Sequence, residues 1–365
     1  MSATAIFLFF IILLALVIVH EFGHFIAAKW VGMRVDEFAF GFPPRLFSKK
    51  KGETVYAVNA LPLGGYVSIW GENGEPDDIA KTHPRAFGNR PKWAQLLVLF
   101  AGVAMNMLLA LIIFIGVSYG KVQMSADDPT YGDRVNNAYI MVMSSAPDSP
   151  AQRVGLTPGS VIIKLTSAGV TADIRTATSA VAFVERHQND SFAITFIKPN
   201  GETVSTTIAP VYGIVPSKKA LGLSLETVGY VHTSMWEAMK IGVQRTYDTT
   251  IMTFDGLWTL LRSIGGGQNV LDSLAGPIGI AKIVGEQSSY GFAAVLTLVA
   301  ILSVNLAVFN ILPLPALDGG RIVVVVIEAV IRRKIPYKYY AWVNVVGFVA
   351  LMALLLVVTV HDIWG

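Results

Sequence analysis

The 365-residue sequence contains no cysteine and few charged residues. Without cysteine the chain can form no disulfide, and any metal site must use nitrogen or oxygen ligands. Charged residues make up 15% of the chain, hydrophobic residues make up 53%, and the mean hydropathy is +0.56. This composition excludes a single soluble globule of this length and predicts a membrane protein. The net charge of +3 gives no reason to expect a nucleic-acid partner.

Four stretches are long and apolar enough to cross a lipid bilayer as helices, which takes roughly 20 residues. They are residues 3–28, 93–120, 292–317 and 340–360. The first stretch lacks a basic leading region and a small-residue cleavage site, so it is expected to be retained. Lys and Arg are concentrated in the segments after the first and the third stretch, which places those segments, including loop 29–92, in the cytoplasm. Both chain ends and the long 121–290 segment are then extracytoplasmic.

An H-E-x-x-H motif, His20-Glu21-x-x-His24, lies in the last turns of the first stretch. On a helix the two imidazoles project from one face and can bind one metal ion, and Glu21 lies beside them, where it can act as general base on a water. Catalytic zinc takes three protein ligands and one water. Polar residues at membrane depth are functional by default, so a chance match is the weaker alternative. The motif therefore predicts a zinc hydrolase site inside the membrane.

Asp318 is the predicted third ligand. The remaining histidines, His83, His187, His232 and His361, all lie at the wrong depth or on the wrong side of the membrane. Asp318 follows the third stretch near the depth of His20, after a segment that prolines and glycines break as a helix. The alternative is a proline-kinked turn in which Asp318 only caps the next helix.

Three further segments have recognisable patterns. Residues 125–226 alternate short Val, Ile and Thr-rich runs with Gly, Pro, Asn and Asp, which predicts a small α/β domain. The predicted strands are 138–143, 160–165, 191–198 and 204–210. Residues 54–69 predict two short strands around a turn at 61–65. Residues 235–262 predict an amphipathic helix at the outer interface or against the α/β domain, followed by a glycine link at 265–267.

Several motifs together resemble the site-2 protease family of intramembrane zinc metalloproteases. HEFGH in the first span and NILPLPALDGG at 310–320 carry the likeness. PLGGYVSIWGE at 62–72, SPAQRVGLTPGS at 149–160 and GPIGIAKIVGEQ at 276–287 extend it over nearly the whole chain. The sequence is most similar to the bacterial sigma-E regulator protease type, here with room for a single PDZ domain. One departure is Val103, which follows Gly102 where family members commonly have proline.

The resemblance implies a fold class and a domain order. The fold is that of an α-helical polytopic membrane protein with four transmembrane helices, an inserted small α/β PDZ domain and a membrane-associated β-hairpin. The predicted parts are 1–120 with two spans and the cytoplasmic β loop, 125–226 as the PDZ domain, 235–275 as amphipathic helix and linker, and 276–365 with the other two spans. The implied location is the bacterial cytoplasmic (inner) membrane.

The resemblance also implies an activity. The protein is expected to hydrolyse peptide bonds in transmembrane segments of membrane proteins, as the second cleavage in regulated intramembrane proteolysis of an anti-sigma factor, after a site-1 protease has trimmed the same substrate. It implies Zn²⁺ as cofactor, His20, His24 and Asp318 as its ligands, and Glu21 as general base. A non-enzymatic membrane scaffold or transporter with a PDZ partner-binding domain is the alternative.

Substrate-binding residues are predicted in two places. A transmembrane substrate must unwind to expose a peptide bond, and a strand edge would pair with its freed amide groups. The candidates there are Gly64, Gly65, Tyr66 and Val67, and an ordinary surface hairpin is the alternative. Asn106 and Asn310 are expected to border the site and bind a substrate carbonyl, although intramembrane asparagines also join helices.

Overall fold

The computed structural model describes residues 3–72, 83–167, 169–215, 218–266, 271 and 274–364. The helices are α1 Ala3–Trp30, α2 Lys92–Val117, α3 Pro150–Arg153, α4 Ala177–Arg186, α5 Met235–Gly265, α6 Pro277–Ser289, α7 Phe292–Ile311, α8 Asp318–Ile331 and α9 Tyr337–Trp364. The strands are β1 Val35–Lys51, β2 Thr54–Ile69, β3 Gly120–Ser125, β4 Asn136–Ser145, β5 Val161–Ser167, β6 Val170–Thr171, β7 Phe192–Ile197, β8 Thr203–Ile208, β9 Val211–Val215, β10 Lys218–Ala220 and β11 Leu223–Thr233.

The chain forms two compact units. One consists of Met1–Gly116, Ile241–Ser288 and Phe292–Gly365, and the other of Val117–Lys240 with Ser289–Gly291. In the first unit, α1, α2, α7 and residues 341–364 of α9 are long and apolar enough to cross a membrane. The four predicted spans are confirmed, and the chain is an integral membrane protein with an inserted β-rich region.

The third span ends earlier than the sequence predicts. Helix α7 stops at Ile311 instead of continuing to residue 317, and α8 begins at Asp318. Pro313 and Pro315 cannot donate the backbone hydrogen bonds that would continue α7. A Cβ at Gly319 would collide with the carbonyl oxygen of Leu312, so only glycine permits this close return of the chain.

The predicted hairpin within residues 54–69 is wrong in its turn and in its partner. Residues 54–69 form one strand, β2, which pairs with β1, and the turn lies at Gly52, where φ is +64°. The stretch 35–40 of β1 pairs with residues 65–69, its residues 37–40 also pair with 55–58, and 45–51 pairs with 54–59. The two consecutive prolines in β1 hid this strand, because proline within a run argues against a strand.

Helix α5 extends from Met235 to Gly265 and contacts two of the spans. A Cβ at Gly242 would lie 2.5 Å from a side-chain carbon of Ile115 in α2, and the Thr253 hydroxyl donates to Oδ1 of Asn305 in α7 at 2.7 Å. Asn305 lies about 20 Å along α7 from its first residue. The predicted position at the outer interface therefore does not describe the whole helix, because small and hydroxyl residues pack it beside the spans. The predicted glycine link ends at Gly267, outside the described residues.

The GPIGI motif forms the beginning of α6. The backbone N–H groups of Gly276 and Gly279 donate to the carboxylate of Asp362, near the end of α9, at 3.2 and 2.8 Å. A Cβ at Gly276 would lie 2.6 Å from that carboxylate. The motif is therefore explained by a helix N-terminus that Asp362 caps from the last span.

The second unit contains a seven-stranded sheet in the order β3-β11-β4-β5-β7-β8, with β6 paired to β5. Its core includes Ile140, Leu165, Phe192 and Phe196. The four strands predicted from the sequence correspond to β4, β5, β7 and β8. The sheet extends beyond the predicted limits of 125 and 226, because β3 begins at Gly120 and β11 continues to Thr233.

Candidate metal centre

Helix α1 presents His20 and His24 on its buried face, where the two residues are 6% and 7% exposed. Gly23 lies between them in sequence, and a Cβ there would collide with the backbone of Ala101 in α2. The glycine of HEFGH therefore lets α1 and α2 approach closely at the depth of the two imidazoles.

The break between α7 and α8 brings Asp318 to the same place. Its Oδ2 lies 3.0 Å from Nε2 of His20 and 3.2 Å from Nε2 of His24, and the two Nε2 atoms are 3.1 Å apart. The N-cap position of α8 is Leu317, and Asp318 is the first residue of the helix. The short distances from its carboxylate to both imidazoles favour a ligand role over the alternative in which Asp318 only caps a turn.

These three donors fit a zinc ion. Zinc–nitrogen and zinc–oxygen bonds of about 2.1 Å in a tetrahedral arrangement separate the donor atoms by about 3.4 Å. The observed separations of 3.0 to 3.2 Å are close to that value. Among the described residues, His20, His24 and Asp318 form the group of His and acidic side chains able to hold a metal ion. Two imidazoles and one carboxylate are also a ligand set that catalytic zinc uses.

Helix α2 contacts both imidazoles from behind, which the sequence did not predict. Nδ1 of His24 donates to the carbonyl oxygen of Val98 at 2.8 Å, and Nδ1 of His20 lies 3.3 Å from the side-chain amide of Asn106. Gly102 lies between these contacts, and a Cβ there would come within 2.8 Å of the His20 ring. Residues 98, 102 and 106 are four apart and share one helix face. This regular spacing is the feature of the sequence from which the contacts to the two imidazoles could have been predicted.

Glu21, next to His20 on α1, contacts strand β2. Its Oε2 accepts the backbone N–H of Val67 at 3.0 Å, and a Cβ on Gly65 would lie 3.9 Å from the Glu21 side chain. The 65–69 stretch pairs with β1 on one side. Its other edge is therefore directed towards the glutamate of the H-E-x-x-H motif.

The other predicted substrate residues lie in three separate places. Gly64 and Tyr66 both lie against Phe42, with the Tyr66 ring stacked on it at 6.3 Å. Asn106 is fully buried behind His20. Asn310 is half-buried in the last turn of α7, just before the helix break.

Three ion pairs hold the strands in place. Arg321, one turn after Asp318 in α8, pairs with Glu72 just beyond β2. At the opposite end of the hairpin, Glu53 pairs with Lys29 and Arg85, each at 2.7 Å. Hydrogen bonds from Arg85 and Lys29 lower the pKa of Glu53 to about 2. The Glu53 carboxylate is therefore charged at neutral pH and ties the hairpin turn to the end of α1.

The chain is similar to known proteins over almost its full length. Residues 8–354 match the sequence pattern of Peptidase family M50. A protein of Clostridium perfringens, named as a predicted zinc metalloprotease, is 36% identical over 351 residues, which cover 96% of this chain and 95% of that protein. The zinc metalloprotease RasP of Geobacillus kaustophilus is 29% identical, with 97% and 96% covered. The regulator of sigma-W protease RasP of Bacillus subtilis is 26% identical, with 100% and 99% covered.

Proposed function

Because this chain belongs to peptidase family M50, the site-2 proteases, and is an intramembrane zinc metalloprotease, we propose that His20, His24 and Asp318 hold its zinc and that Glu21 is its general base. The observation that carries the proposal is the convergence of three donor atoms within 3.0 to 3.2 Å of one another, next to Glu21 on α1. The alternative of a non-enzymatic scaffold or transporter is not favoured, since the family consists of metalloproteases.

Zinc bound there would supply Lewis acidity, which acidifies a water and polarises a substrate carbonyl. Glu21 takes the proton of the attacking water and later donates it to the leaving amine. No acyl-enzyme is required. The carbonyl of Val98 orients the His24 ring and the N–H of Val67 orients the Glu21 carboxylate.

The 65–69 edge of β2 is the proposed substrate platform. An unwound transmembrane segment needs partners for its backbone amide groups where water is scarce. A substrate strand added beside Gly65 to Val67 would pair with this edge and run past Glu21. The N–H of Val67 contacts Glu21 at 3.0 Å, so the edge and the general base are within hydrogen-bond distance of each other.

Membrane protein substrates are proposed to reach this site after another protease has trimmed them. The B. subtilis relative is named regulator of sigma-W protease RasP, which favours an anti-sigma factor as substrate of this chain. We place the protein in the bacterial inner membrane, with the hairpin on the cytoplasmic side and the β-rich unit on the opposite side, because of the distribution of Lys and Arg.

Metal removal tests the activity itself. We expect purified protein in bilayer discs to cleave a labelled model transmembrane substrate, to lose cleavage when a chelator removes the metal, and to recover it with about one equivalent of Zn²⁺ per chain. Metal analysis and cleavage are measured on the same samples. Cleavage that persists in metal-free protein would contradict the proposal.

Val67→Pro tests the strand platform. Proline removes the N–H that points to Glu21 and blocks strand addition, so cleavage should fall by about tenfold or more while zinc content is unchanged. Val67→Ala keeps the N–H and serves as the matched control. Equal loss of zinc and cleavage in Val67→Pro would indicate misfolding and would leave the platform without support.

The β-rich unit contains a groove suited to an extended peptide, as a PDZ domain would. The groove, of about 390 Å³, is lined by Val181 and Val184 of α4 and by Leu223 and Leu225 of β11. Its charged lining residues are Lys218, Lys219 and Glu185, of which Lys218 and Glu185 pair at 2.9 Å. Within β11, residues 223–227 pair with β4, whereas pairing with β3 begins only at Val228. One edge of 223–226 is therefore open to strand addition among the described strands, since the carbonyl of Thr227 accepts the N–H of Ala126. We propose that this groove binds the new carboxyl end of a trimmed substrate, whose charge Lys219 complements.

Val181→Glu should weaken selection for trimmed substrates. A negative charge in the groove would repel a carboxyl end, so the preference for a trimmed over an untrimmed substrate should fall several-fold, with the cleavage chemistry intact. The ratio of the two cleavage rates is measured. Val170→Glu is the control, because Val170 is 71% exposed in β6 and does not line the groove. An unchanged ratio in Val181→Glu would rule out this role.

A further inference from the structure

Asn106 contacts the proposed metal centre without reaching the substrate side. Its side chain, on α2, is 0% exposed, and its amide nitrogen lies 3.3 Å from Nδ1 of His20. A fully enclosed amide cannot bind a substrate carbonyl unless the helices separate. Among the described residues, the titratable group that this side chain contacts is His20, so a role at the metal centre acts through that ring.

The ring of His20 needs an acceptor at Nδ1. If Nε2 binds zinc, a neutral imidazole carries its one proton on Nδ1 and becomes a donor there. Oδ1 of Asn106 is buried and has no hydrogen-bond partner among the described residues. A half-turn of the amide exchanges its oxygen and nitrogen, and the hydrogen-bond network decides which one faces the ring. A donor at Nδ1 selects the oxygen.

The backbone around Asn106 fixes its position. Its carbonyl oxygen accepts the hydroxyl of Ser303 in α7 at 2.8 Å, and Ser303 is itself fully buried. One turn earlier, Gly102 leaves no room for a side chain against the rings. Two turns earlier, the carbonyl of Val98 already provides the matching acceptor for His24. Helix α2 thus offers both imidazoles an acceptor on their Nδ1 side.

We propose that Asn106 is a positioning residue whose side-chain oxygen accepts the Nδ1 proton of His20 and aims Nε2 at the metal shared with His24 and Asp318. Outer hydrogen bonds of this kind fix the ring orientation of ligating histidines and raise their affinity for metal. The inference rests on the proposed function. It replaces the sequence-based expectation that Asn106 binds substrate.

Zinc affinity of the full-length protein tests the proposal by a pair of substitutions with similar shape. Asn106→Leu removes the acceptor and should weaken zinc binding by about 10- to 100-fold, whereas Asn106→Asp presents an acceptor in either orientation and should bind zinc within about threefold of the parent protein. Affinity is measured by competition with a chelator of known zinc affinity. Asn305→Leu, another asparagine within a span, is the control and should bind zinc normally.

Each outcome decides a separate point. Parent-like zinc affinity in Asn106→Leu, or equal weakening in Asn106→Leu and Asn106→Asp, would overturn the role of the oxygen as acceptor. His20→Ala is measured alongside. If His20→Ala retains zinc, the proposed ligand set is wrong. If His20→Ala loses zinc while Asn106→Leu binds zinc normally, only the role of Asn106 is refuted. If Asn106→Leu does not fold, as judged by gel filtration, Asn106→Ala is measured in its place.

Discussion

Glu21→Gln is expected to abolish peptide hydrolysis while zinc remains bound. The amide has nearly the same shape as the carboxylate and can still accept the Val67 N–H, so the local fold should persist. It cannot take a proton from water at neutral pH, and a general base typically contributes about 10²- to 10⁴-fold to the rate. Cleavage of a labelled transmembrane substrate and zinc per chain are measured on the same preparation.

The control for this variant is Glu202→Gln, which changes an exposed glutamate of the β-rich unit that pairs with Lys198. It should leave cleavage at the parent rate. Residual cleavage of more than a few per cent in Glu21→Gln, with zinc bound, would remove Glu21 from the role of base. Loss of zinc in the same variant would point instead to a structural role for the carboxylate.

Asp318→Asn is expected to lose both zinc and activity with little change in folding. The substitution keeps the size of the side chain and its ability to cap a helix, but a neutral amide is a poor zinc ligand compared with a carboxylate. Zinc affinity should fall by more than the roughly 10- to 100-fold that follows loss of an outer hydrogen bond. Competition with a chelator gives the affinity, and gel filtration reports the fold.

Asp362→Asn provides the comparison for Asp318→Asn, because Asp362 also meets the beginning of a helix but lies at the far end of α9 from the candidate metal centre. We expect it to bind zinc normally. If Asp318→Asn binds zinc as tightly as the parent protein, the third ligand is not Asp318. If both variants lose zinc equally, the effect of Asp318 is structural rather than coordinative.

The hairpin shows which features of the fold local sequence patterns can predict and which they cannot. Residues 54–69 are expected from the sequence to form two short strands that pair with each other, but their partner is β1, whose prolines and charges argue against a strand by local rules. The close approach of 65–69 to Glu21 follows from this pairing and from the packing of β2 on α1, both of which are long-range. Local periodicity contains no information about either.

The packing of helix α5 against the spans was not predicted, for a related reason. Its charged residues argue against an independent span, whereas Gly242 and Thr253 contact α2 and α7. A helix whose polar groups find partners on neighbouring helices can enter a bundle that it could not cross alone. Partners far along the chain therefore decided its position.

The sequence by itself determined the spans, the H-E-x-x-H face and the break before Asp318, because bilayer thickness, helical periodicity and the chemistry of proline act over a few residues at a time. Only the tertiary structure decided that His20, His24 and Asp318 converge, that Val67 meets Glu21 and that Asn106 lies behind His20. These contacts join residues from 46 to 298 positions apart, and their geometry depends on how closely the helices and strands pack.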